Sequence, residues 1–136
     1  MKKTGWLIPI SIIAVQAIAI MVKWSSLTEV LPAHFDLQGN ASGTIPRNVL
    51  LLYSLIGAGV CIVAFLIGWK KPILNKGLIF LTSGICLVLL LSTLVTLTSG
   101  RMPFFMLAEP VVLLTAVIAF VLSLVRSRKK GHSPQR

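Results

Sequence analysis

The chain has 136 residues, of which 56% are hydrophobic and only 12% charged, with 13 Lys and Arg against 3 Asp and Glu. A soluble domain is about 45–50% apolar and about 25% charged, so the composition argues against one and points to a single small domain in a lipid bilayer. The net charge of +10 does not mark a nucleic-acid partner, because no basic residues interleaved with exposed aromatics lie on a polar face.

Residues 5–22 (GWLIPISIIAVQAIAIMV) are the first of four apolar runs. Lys2, Lys3 and the Ala17-Ile18-Ala19 step imitate a signal peptide. The apolar stretch outlasts the usual core of about 7–15 residues, so a retained helix is expected. Gln16 is its one strongly polar residue. It is placed to hydrogen-bond between helices, where such bonds average about 0.6 kcal/mol.

The other runs are 49–69, 77–98 and 103–125. A helix rises about 1.5 Å per residue, so about 20 residues cross a hydrocarbon core of about 30 Å. None of the four interiors holds Lys or Arg, each of which would cost about 2.5–3.5 kcal/mol at mid-membrane. An open sheet edge would find no hydrogen bonds in lipid. The expectation is an all-α membrane protein with four transmembrane helices at about 5–22, 49–69, 77–98 and 104–125. They form an antiparallel bundle in one domain over 1–125, followed by a basic cytoplasmic tail at 126–136. The short link 70–76 makes helices two and three a hairpin. The tail reads as disordered, and His132 within it takes no role. Cys61 and Cys86 lie in apolar runs without CxxC spacing and read as small buried hydrophobes. The Gly57-Ala58-Gly59 and Ser83-Gly84 steps suit close helix packing.

Orientation follows from the basic residues. With the N-terminus inside, Lys2, Lys3, Lys70, Lys71, Lys76, Arg126, Arg128, Lys129, Lys130 and Arg136 are cytoplasmic, and only Lys23, Arg47 and Arg101 are outside. That asymmetry sets both termini inside. All three acids, Glu29, Asp36 and Glu109, then fall on the outer side.

The first external loop, 23–48, reads KWSSLTEVLPAHFDLQGNASGTIPRN. Trp24 is placed to anchor at the headgroups. Pro32 restricts Leu31 to extended geometry. Gly39-Asn40 and Ser42-Gly43 are turn signals. Val30, Leu31, Phe35, Leu37 and Ile45 are more apolar than a tether needs, so the loop is expected to fold back on the bundle with Phe35 and Leu37 packing.

The pattern Leu31-Pro32-x-His34-Phe35-Asp36-x-x-Gly39, with Ser42 and Arg47 following, resembles the loop signature of the SdpI-like family of small bacterial multi-pass membrane proteins. Ala41 stands where that signature has Pro, and Arg47 where it has Lys. The resemblance covers residues 5–69; helices three and four match by hydropathy alone. It implies a binding or immunity role, since the best-known members protect against a secreted peptide toxin and relay its presence to a repressor. Those proteins have a longer membrane region than this chain.

His34 can bind metal, move a proton or donate a pH-dependent hydrogen bond. In an extended segment it shares a face with Asp36, which is positioned to orient it, and Arg47 is positioned to pair with Asp36. His34, Asp36 and Glu29 are sparse metal candidates, and no nucleophile sits in a recognisable elbow. No cofactor or metal is expected. The plainest reading is structural: His34 bonds backbone, Asp36 caps a turn and Phe35 packs. Recognition of an external peptide or small ligand is compatible with it. Glu109, followed by Pro110, reads as a helix start with the proline at the first helical position. The alternative is an ionisable group inside a span. His34, Asp36, Arg47, Arg101 and Glu109 are expected to form a polar cluster on the outer face. The candidate site is therefore Pro32, His34, Phe35, Asp36, Gly39, Arg47 and Glu109. The competing functions are a binding or immunity protein, a proton-coupled transporter subunit that uses Glu109 in a homo-oligomer, and a membrane enzyme that uses His34 and Asp36.

Overall fold

The structure, a computed structural model, describes residues 3–36, 38, 40–98 and 103–130. Four helices dominate it: α1 (Leu7–Lys23), α2 (Asn48–Lys70), α3 (Asn75–Leu97) and α4 (Pro103–Lys130). All four are long and apolar enough to cross a membrane. Their bounds follow the apolar runs to within a few residues, except at the end of α4. Residues 126–130, expected in a disordered tail, continue the helix. Arg and Lys are good helix formers, and cations suit a helix C-terminus.

The all-α expectation needs one correction. The loop between α1 and α2 holds two strands, β1 (Val30–Phe35) and β2 (Ala41–Pro46), paired antiparallel with Leu31 opposite Ile45 and Ala33 opposite Gly43. Strand periodicity explains it: Leu31 and Ala33 are buried while Val30, the first residue of β1, is exposed, as alternate side chains take opposite faces. Ser42-Gly43, read as a turn, lies inside β2. Pro32 has no N–H, and the register accommodates it. Arg47 N donates to Glu29 O at 2.9 Å, so counting along the ladder in twos makes Leu31–Ile45 and Ala33–Gly43 the hydrogen-bonded pairs. Pro32–Thr44 is then a non-bonded pair, where no donor is required.

α3 packs against each of the other three helices, and α4 packs chiefly on α3. Small residues set the close approaches. A Cβ built on Gly84 would lie 2.2 Å from Ala116 Cβ, and one on Gly57 would meet Ile13 at 3.4 Å and Leu89 at 3.5 Å. Gly59, by contrast, faces open space. One apolar cluster gathers Ile20, Leu31, Leu50, Trp24, Leu27, Ile45, Tyr53 and Leu97 at the hairpin end. Another joins Trp6, Ala64 and Leu78 to Phe65, Leu74, Ile79 and Phe120 at the opposite end. There the Trp6 indole N–H donates to Asn75 Oδ1 at 3.0 Å, across 69 residues of sequence.

Several polar side chains lie inside the bundle while many large apolar ones face outward. Gln16 and Thr93 are fully buried, while Leu7, Ile18, Met21, Leu55 and Val111 are exposed. That inversion is what a lipid solvent selects, since an apolar side chain gains nothing by leaving it and a polar one must find a partner inside.

Candidate functional site

The hairpin tip is organised by Asp36. Its Oδ1 accepts from the backbone N–H of Gln38 (3.0 Å) and of Asn40 (2.8 Å), and its Oδ2 accepts from Asn40 Nδ2 (3.0 Å). The backbone closes the same turn, with Asp36 N donating to Asn40 O at 3.0 Å. This is the turn-capping role that short acidic side chains perform. His34 and Phe35 end β1, although their side chains, with Leu37 and Gly39, lie outside the described residues.

Arg47 sits at the other end of the hairpin, and the expected ion pair with Asp36 does not form. Its guanidinium stacks over the Trp24 ring, 5.0 Å from the centroid, in cation–π geometry. Seven extended residues separate tip from base, roughly 20 Å at about 3.3 Å each, well beyond an ion pair. The same length separates Asp36 from Glu29, whose carbonyl pairs with Arg47 at the base, so these two acids cannot share a metal. Among the described residues no three His, Cys, Asp or Glu side chains gather as a metal site.

Glu109 is not at a helix start. α4 begins at Pro103 and runs through Pro110, so the helix-start expectation is corrected. Pro110 withholds the N–H that would bond the Met106 carbonyl, a defect that membrane helices tolerate when neighbours supply partners. Half-buried, Glu109 accepts a 2.9 Å hydrogen bond at Oε1 from Ser92 Oγ of α3. Of the expected outer-face cluster, Asp36 is engaged in its turn, Arg47 in the Trp24 stack and Glu109 in the Ser92 pair. Arg101 lies outside the described residues.

Within the helices, Gln16 Nε2 donates to Thr93 Oγ1 at 2.8 Å and approaches Leu89 O at 3.4 Å. This is the interhelical bond expected of the one strongly polar residue in the first run. Thr93 Oγ1 in turn donates to Leu89 O at 2.8 Å. Cys61 and Cys86 are free, buried thiols with sulfurs 3.7 Å apart across α2 and α3. An apolar groove of about 520 Å³ between α1 and α2 is lined by Trp6, Ile10, Ala14, Cys61 and Phe65 among others. Sequence reasoning missed Ser92 and Asn75 as partners. Only their polarity near or within an apolar run hinted at them.

No protein family, no curated protein and no solved structure matches this chain.

Proposed function

We propose that this chain is a multi-pass membrane protein of the binding or immunity type, whose hairpin receives an extracytoplasmic peptide or small ligand. The four helices form an antiparallel bundle with both termini in the cytoplasm, an orientation that rests on the asymmetry of the basic residues. The observation that carries the reading is the hairpin's anchorage. Leu31 and Ile45 share one apolar cluster with Ile20 of α1, Leu50 and Tyr53 of α2 and Leu97 of α3. A ligand that shifts the hairpin therefore shifts three helices, which is what a sensor needs. β2 is the more exposed strand, and its outward edge around Thr44 suits addition of an extended peptide. The SdpI-like loop signature supports the same role. Survival of cells challenged with secreted peptide toxins tests it. Thr44→Pro, which removes a backbone donor from that edge, and His34→Ala are expected to lower protection while the protein still inserts. Undiminished protection after residues 31–39 are exchanged for a Gly/Ser segment of equal length refutes it.

A second reading, a proton-coupled transporter subunit working as a homo-oligomer, draws on one observation: the Glu109 carboxylate bonded to Ser92 within the helices. Proton-driven solute uptake that persists unchanged in Glu109→Gln rules it out.

A further inference from the structure

Three helices meet in layers along α1, α2 and α3. Ile13, Gly57 and Leu89 form one layer, fixed by the contacts a Cβ at Gly57 would make. Ile20, Leu50 and Leu97 belong to the apolar cluster beneath the hairpin. One helical turn from the first layer and one from the second lie Gln16, Ser54 and Thr93. This middle layer is polar on all three helices and sealed by apolar layers on both sides.

Its hydrogen bonds are incomplete. Gln16 is fully buried, and its Nε2 is engaged by Thr93 Oγ1 and Leu89 O. Yet Gln16 Oε1 and Ser54 Oγ are both buried without a partner among the described residues. A buried amide oxygen left so costs about 1–3 kcal/mol, and few native groups bear that cost. The two orphans are also complementary. Oε1 only accepts, and the Ser54 hydroxyl both donates and accepts.

We propose that this layer is a binding site for one structural water molecule. The water donates to Gln16 Oε1 and accepts from the Ser54 hydroxyl. Its second hydrogen reaches the free lone pair of Thr93 Oγ1, which accepts one bond from Gln16 and donates one to Leu89 O. Three partners are the usual number for a buried water. The molecule supplies a polar tie between α2 and the α1–α3 pair, which are already joined by Gln16 and Thr93. The layer lies one turn below the hairpin cluster, so this tie holds α2 in register directly beneath the hairpin. The inference stands whether or not the hairpin binds a peptide.

Nuclear Overhauser spectroscopy of the full chain in lipid nanodiscs tests it. The Gln16 side-chain amide protons are expected to show a cross-peak to a long-lived water, weakened several-fold in Ser54→Ala. Thermal melts supply a second readout. Ser54→Ala is expected to lower the Tm of the wild-type chain and to leave that of Gln16→Leu unchanged, because an apolar site stays dry. A wild-type chain without the cross-peak overturns the proposal, as does a cross-peak indifferent to Ser54→Ala. A coupled Tm effect without any cross-peak identifies a direct Ser54–Gln16 bond instead. A Tm raised by sodium chloride and not by choline chloride identifies a sodium ion, and also overturns it.

Discussion

A methyl group added at Gly84 would sit 2.2 Å from Ala116 Cβ. Non-bonded carbons rest about 3.5–4.0 Å apart, so Gly84→Ala requires α3 and α4 to separate locally by roughly 1.5 Å. Overpacking of this kind costs about 1–3 kcal/mol. Separation also stretches the 2.9 Å Ser92–Glu109 bond, worth about 0.6 kcal/mol in a membrane. A total of about 2 kcal/mol is roughly a thirtyfold shift in the docking equilibrium of α4. No other long helix shares its packing as α3 does, so nothing else absorbs the strain. The assay is oxidative cross-linking of cysteines placed at Ser92 and Glu109, in a background with Cys61 and Cys86 replaced by Ala; with the Ser92–Glu109 bond already removed there, it reads the overpacking alone. Gly84→Ala is expected to cut the yield sharply, and Ala116→Gly to restore it in the double variant. An unchanged yield, or a double variant no better than Gly84→Ala, refutes the close-approach argument.

Asn75→Ala leaves the buried Trp6 indole N–H unpaired and is expected to cost about 1–3 kcal/mol, read as a lower Tm. Gly68→Ala should act in the same direction, since its Cβ would lie 2.6 Å from Asn75 Oδ1. Asp36→Ala removes the acceptor for Gln38 and Asn40 and should speed exchange of those two amides roughly fivefold, for about 1 kcal/mol of turn stability, while Asp36→Asn retains most of the protection. Sulfurs 3.7 Å apart need to close to about 2.05 Å for a disulfide. A membrane-permeant oxidant should therefore consume both thiols within one chain, and two titratable thiols remaining after treatment contradict the α2–α3 register.

Hydropathy alone located the four helices, because lipid permits few other structures for runs of that length. The hairpin was harder to read. Leu31 and Ala33 carry the alternation that buries one face of β1, but Pro32 between them argues against a strand until the pairing partner is known. Ser42-Gly43 reads as a turn in isolation and becomes strand only opposite Ala33. Glu109-Pro110 misled for a related reason: proline at a helix start is the rule in water, and a membrane helix relaxes it. Gln16 was legible as a polar residue in need of a partner. That the partner is Thr93, and that Trp6 finds Asn75, depends on which helices pack, and no local pattern encodes that. The expected Asp36–Arg47 pair failed on length, since a paired strand holds the two apart where a slack loop would let them meet.

The bond from Gln16 to Thr93 also has a history in time. Its acceptor is synthesised 77 residues after its donor, which at 5–20 residues per second is roughly 4–15 s. Throughout that interval α1 carries an amide whose partner has not been made. The third span, rather than the second, supplies the partner that the polar group of the first requires.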